Sequence, residues 1–91
     1  MSKDVTIYTI PNCQPCRRTK KMFQDAGIYY REVDLSEDDN AKDYVKYVLG
    51  ASSAPVVVVS ERRAYWSGFS EGSIRNAIEW IKSDSQAESR D

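Results

Sequence analysis

The sequence predicts one α/β domain in the order βαβαββα, with a four-stranded mixed sheet flanked by three helices. Three observations carry that prediction. Two strand-like segments near the N-terminus are separated by an amphipathic stretch, and together they span about thirty residues, the size of a βαβ unit with a right-handed parallel crossover. A strongly apolar run, Pro55-Val56-Val57-Val58-Val59, is followed by a polar turn and Ala64-Tyr65-Trp66, the pattern of an antiparallel hairpin. Beyond it Ile74, Ala77, Ile78 and Ile81 recur at helical spacing. A chain of 91 residues holds one such domain, here residues 1–82. Residues 83–91 are polar and aperiodic and are expected to form a disordered tail.

Val5 to Ile10 is β-branched and aromatic without a polar face, which suits a central strand covered on both sides. Pro11-Asn12 is turn chemistry, and Pro15 fits a first helical turn, where its missing N–H costs nothing. The helix is expected to run to about Ala26. Thr19, Met22, Phe23 and Ala26 form its buried face, and Gly27 stops it. Arg17, Arg18, Lys20 and Lys21 lie on the solvated face.

Tyr29 to Asp34 reads as the second strand. Ser36 and Asp39 resemble a capping box for a helix over Glu37–Leu49, with Ala41, Tyr44, Val45, Val48 and Leu49 turned inward and Gly50 as its stop. The acids Glu37, Asp38 and Asp39 then sit in a first turn, where the helix dipole favours them without any metal. The third strand is Pro55–Val59, the hairpin turn Ser60-Glu61-Arg62-Arg63, and the last helix Ser70–Lys82.

Composition removes most chemistries. The 41% hydrophobic and 30% charged shares are those of an ordinary globular chain, and the net charge of −1 offers no field to recruit nucleic acid or anionic lipid. No apolar stretch is long enough to span a membrane or serve as a signal peptide. With no histidine, Ser-His-Asp and Cys-His hydrolysis lack a base. The four glycines, Gly27, Gly50, Gly68 and Gly72, form no phosphate-cradling loop. A small secreted domain is usually dense in disulfides, and two neighbouring cysteines instead suggest the cytoplasm.

Those cysteines, Cys13 and Cys16, stand two residues apart where the first strand turns into the first helix. Unpaired N–H groups and the dipole at a helix start favour a thiolate. A Cys-x-x-Cys beside a βαβ pattern reads as a dithiol/disulfide redox centre. Two duller readings stand beside it. A structural disulfide closing so small a ring contributes roughly 2 kcal/mol. Zinc or an iron–sulfur cluster needs four ligands and would require a second chain or an added thiol. For thiols in general, lowering a pKa from about 8.5 to about 7 raises the thiolate at neutral pH roughly fifteenfold. A Brønsted slope of about 0.4–0.5 takes back roughly four- to sixfold of this. Docking and alignment must therefore supply most of the rate.

The order of elements with this dithiol resembles the thioredoxin fold, and within it the short glutaredoxin-like proteins, over about residues 4–82. Trp66-Ser67-Gly68-Phe69 and Ala54-Pro55-Val56-Val57 are similar to two signatures of the NrdH-redoxins. The resemblance implies a small carrier, expected to be monomeric, that reduces a disulfide in the class Ib ribonucleotide reductase large subunit. It implies re-reduction by thioredoxin reductase, with no bound cofactor and with NADPH entering only through that partner. Cys13 would be the attacking thiolate and Cys16 the resolving one. Ala54 and a cis Pro55 would face the substrate chain, and Trp66, Ser67, Gly68 and Phe69 would flank the site. The chain departs from the pattern at Ile10, where relatives often carry a cation, in the order Gln14-Pro15, and at Ser70-Glu71. Other readings are a glutathione-dependent glutaredoxin, a redox-sensing binding protein similar to the Spx regulators, and an iron–sulfur carrier. No metal site, nucleic acid or membrane is expected.

Overall fold

β-branched and aromatic residues from Val5 to Thr9 form a strand that pairs on both edges, and the other elements are built outward from it. The computed structural model describes residues 5–60 and 63–89. Its elements are β1 (Val5–Thr9), α1 (Gln14–Asp25), β2 (Arg31–Asp34), α2 (Asp39–Asp43) continued by a π-helical turn (Tyr44–Val48), β3 (Val56–Val59), β4 (Ala64–Ser67) and α3 (Glu71–Ser89). This is the expected α/β order. The sheet runs β2-β1-β3-β4, with β1 parallel to β2 and antiparallel to β3, and β3 antiparallel to β4.

The register explains the core. Ile7 lies opposite Val57 and Val5 opposite Val59, so these four share one face of the sheet. They pack there with Phe23 of α1 and with Ile74, Ala77 and Ile81 of α3, all buried. Burying an aliphatic or aromatic side chain of this size contributes about 1.5–3 kcal/mol. Tyr8 projects from the opposite face, its ring 6.1 Å from Tyr44. Burial pushes the Tyr8 phenol above its ordinary pKa, with Tyr44 and Asp38 adding to the shift and Arg31 opposing it.

Gly27 follows α1 with φ +74°, a conformation that glycine adopts without a Cβ penalty and that ends the helix where expected. Strand boundaries differ slightly from the sequence reading. β1 ends at Thr9, leaving Ile10 exposed, and β2 begins at Arg31 because Tyr29 lies in solvent. β3 starts at Val56, since Pro55 has no N–H to give to a ladder. β4 extends through Ser67. Positions 61 and 62 of the expected hairpin turn lie outside the described residues.

Three expectations are corrected. The helix over Glu37–Leu49 is not one regular helix. α2 has a single α-helical stretch, after which the Leu49 N–H donates to the Tyr44 carbonyl five residues back. That wider turn breaks the 3.6-residue stripe. Of the expected inward face only Val45 is buried; Ala41 and Leu49 are half-buried, while Tyr44 and Val48 are exposed. Nor is Ser36 the cap. Its N–H and hydroxyl both donate to Asp34 Oδ1, at 2.9 and 2.7 Å, and Asp38 takes its place by accepting the Ala41 N–H at 3.0 Å.

The third correction concerns α3. The sequence reading ends this helix at Lys82, but helical backbone continues to Ser89. Residues 83–89 lack an apolar stripe, yet they contain no glycine or proline to stop a helix once started. Residues 90 and 91 lie outside the described residues.

Candidate active site

At the end of β1 the chain turns through Pro11 and Asn12, the latter at φ +57°, and enters α1 at Cys13. Asparagine tolerates that left-handed conformation better than most residues. Cys13 is extended and caps α1 with its own side chain, since its Sγ accepts the Cys16 N–H at 3.1 Å. The Arg17 N–H donates to the Cys13 carbonyl at 3.2 Å, closing the first turn. Cys13 and Cys16 are joined as a disulfide, with Cα atoms 5.2 Å apart. Cys13 is 8% exposed and Cys16 2%. The helix start therefore points an amide at the sulfur of the less covered cysteine, the geometry that stabilises a thiolate once the bond is opened.

Behind the disulfide lies a small polar cleft, lined among others by Cys16, Lys20, Glu32 and Asp34. Glu32 Oε2 accepts bonds from Thr9 Oγ1 and Lys20 Nζ, both at 3.0 Å. The Ser36 hydroxyl and N–H hold the Asp34 carboxyl below the usual carboxylate range. Among the described residues, no group of three or more cysteine, aspartate or glutamate side chains converges as a metal site would require.

On the other side Cys13 opens onto a groove of about 820 Å³. Ala54 lines it, so one residue expected to face a substrate does stand beside the dithiol. The Ala54–Pro55 peptide is cis, and Pro55 itself is buried. The Gly68 N–H donates to the Pro55 carbonyl at 2.7 Å, with Gly68 at φ +79°. Through that bond the Trp66–Phe69 segment fixes the loop that carries Ala54.

The rest of that segment faces elsewhere. Ser67 is exposed at the end of β4, opposite Val56. Trp66 packs against the core, and its buried Nε1 has no hydrogen-bond partner among the described residues. Phe69 also packs against the core and lies under the Arg18 guanidinium, which stands 4.1 Å from its ring centroid. None of Trp66, Ser67, Gly68 or Phe69 lines the groove. Sequence reasoning missed Lys42, Val45 and Lys46, which do line it. Their spacing gives no separate signal, because the face they present depends on how the segment winds across the π-helical turn.

The glutaredoxin family model matches residues 5–64. This chain belongs to the glutaredoxin family. It is similar to the glutaredoxin-like protein NrdH of Salmonella typhimurium, with 32% identity over 65 residues, 71% of this chain and 76% of that protein. The NrdH-redoxin structure from Escherichia coli superposes with a TM-score of 0.74 at 26% identity, covering 80% of this chain and 92% of that one. Gene 56 protein of Mycobacterium phage D29 is 50% identical over 58 residues. The matches span only 64% of that protein's length and 57% of its counterpart's in phage L5. The resemblance to NrdH-redoxins read from the two short signatures thus extends over the fold. The chain is glutaredoxin-like and carries a Cys-x-x-Cys pair. Among the described residues no helix is long and apolar enough to cross a membrane.

Proposed function

We propose that this glutaredoxin-like chain is a dithiol electron carrier for the class Ib ribonucleotide reductase large subunit, re-reduced by thioredoxin reductase. The observation that carries the reading is Cys13 at the start of α1, the less covered cysteine, backed by the Cys16 N–H and open to the groove beside Ala54. In the reduced protein the Cys13 thiolate attacks one sulfur of the substrate disulfide. The second substrate sulfur leaves and takes up a proton. Cys16 then loses its proton and attacks Cys13 Sγ, releasing the first substrate sulfur as a thiolate. Two electrons pass to the substrate, and the Cys13–Cys16 disulfide remains.

Reduction of that disulfide returns the carrier to its starting state. The electrons come from NADPH through thioredoxin reductase, and the chain holds no cofactor of its own. Ala54 presents its backbone to an extended substrate segment, as an edge strand does. The protein acts as a monomer in the cytoplasm, in keeping with its two neighbouring cysteines.

Family membership also favours a second reading, glutathione as the electron source. Ile10 speaks against it, because it places an exposed apolar side chain on the groove where a cation would hold a glutathione carboxylate. The deciding experiment follows NADPH oxidation at equal protein concentration, with thioredoxin reductase in one arm and glutathione plus glutathione reductase in the other. Turnover is expected in the first arm and little in the second, since a glutathione carboxylate would lack a cation at position 10. Equal rates would transfer the protein to the glutathione-dependent class.

A further inference from the structure

The groove beside Cys13 has a one-sided charge. Ile10, Leu35, Val45 and Ala54 give it an apolar lining, and Lys42 and Lys46 line it as well. No carboxylate lines it, although Asp39 and Asp43 belong to the same helical segment as the lysines. Lys46 Nζ rests 5.2 Å from the Tyr47 ring centroid, a contact that leaves its charge uncompensated. Neither ammonium lies within ion-pair distance of a carboxylate among the described residues. Both residues are exposed. In a protein of net charge −1, two unpaired cations beside the reactive sulfur are not a consequence of general basicity.

We propose that this groove selects an extended protein segment carrying aspartate or glutamate next to its disulfide cysteine, with Lys42 and Lys46 as the specificity-determining residues. The inference rests on the dithiol reading above and names the substrate class of that same site. The apolar lining takes the segment's side chains while the lysines read its acidic flank. Charges at the rim of an interface act mainly on encounter rate and partner choice, so the effect lies in discrimination between substrates.

The test needs no reductase. Wild-type protein is reduced with dithiothreitol, freed of it, and mixed with either of two synthetic peptides that share one intramolecular disulfide. One peptide carries Asp and Glu beside the cysteines, and the other carries Asn and Gln at the same places. Two exposed ion pairs of ordinary strength predict that the acidic peptide is reduced about three- to tenfold faster at low salt. That ratio should fall toward one in the Lys42→Gln/Lys46→Gln double variant, and also in wild type at high salt, where such charges are screened. Lys21→Gln, which removes an equal charge from a lysine paired with Asp25 on α1, should leave the ratio in place.

A ratio near one in wild type would overturn the proposal, as would a ratio that survives the double substitution. So would a pair of peptides reduced alike while oxidised glutathione alone slows in the double variant, since the lysines would then serve a small anionic disulfide. A ratio does not depend on the fraction of folded protein, so a destabilised variant still gives an answer. Failure to reduce 2-hydroxyethyl disulfide would instead overturn the dithiol reading, and the proposal with it.

Discussion

Cys13 and Cys16 differ in what surrounds their sulfurs more than in distance along the chain. Both border the polar cleft, but Cys13 also caps the helix, accepts an amide and borders the groove, which Cys16, inside the first turn, does not. Cys16→Ser is therefore expected to trap a mixed disulfide on Cys13, because the attacking sulfur is kept and the resolving one is gone. Cys13→Ser should trap none. Mass spectrometry of the adducts checks this, and a partner found attached to Cys16 in the Cys13→Ser protein would reverse the assignment.

At the scale of single elements, α2 and its π-helical turn were the part least legible in the sequence. The cap offers a direct check. Asp38→Ala should cost about 1 kcal/mol of stability by leaving the Ala41 N–H unpaired, within the usual range of about 0.5–2 for a lost N-cap. Ser36→Ala, which removes only a hydroxyl bond to Asp34 at an exposed turn, should cost less. Urea midpoints of the two variants compare them, and a larger loss for Ser36→Ala would restore the capping box.

β1, α1, β3 and α3 were readable because their patterns are strong and local. Val5 and Ile7 alternate, Thr19 and Phe23 recur at i, i+4, and Gly27 marks a stop. A π-helical turn has no comparable signature, since one added residue per turn depends on tertiary packing. Its effect passes directly to the site. The cysteines and Ala54 could be assigned to it from the sequence, but Lys42 and Lys46 could not, because their face depends on how that segment winds. Trp66 and Phe69 were expected to flank the site, but the register of β4 and the Arg18 contact put both against the core, and neither lines the groove.

For the whole molecule, the sheet order sets one approach to the chemistry. β1 is central, and the dithiol sits just past its C-terminal end, where strand ends leave a crevice in open α/β sheets. Of the two cysteines only Cys13 borders the groove, so both partners that approach through it meet the same sulfur. Electron donor and electron acceptor must then queue for the same berth, and no complex containing both can pass electrons. Turnover is expected to follow ping-pong kinetics, with parallel double-reciprocal lines when donor and acceptor concentrations are varied against each other. An acceptor with its own cysteines replaced by serine should compete with the reductase. Intersecting lines would mean that the carrier serves both partners at once.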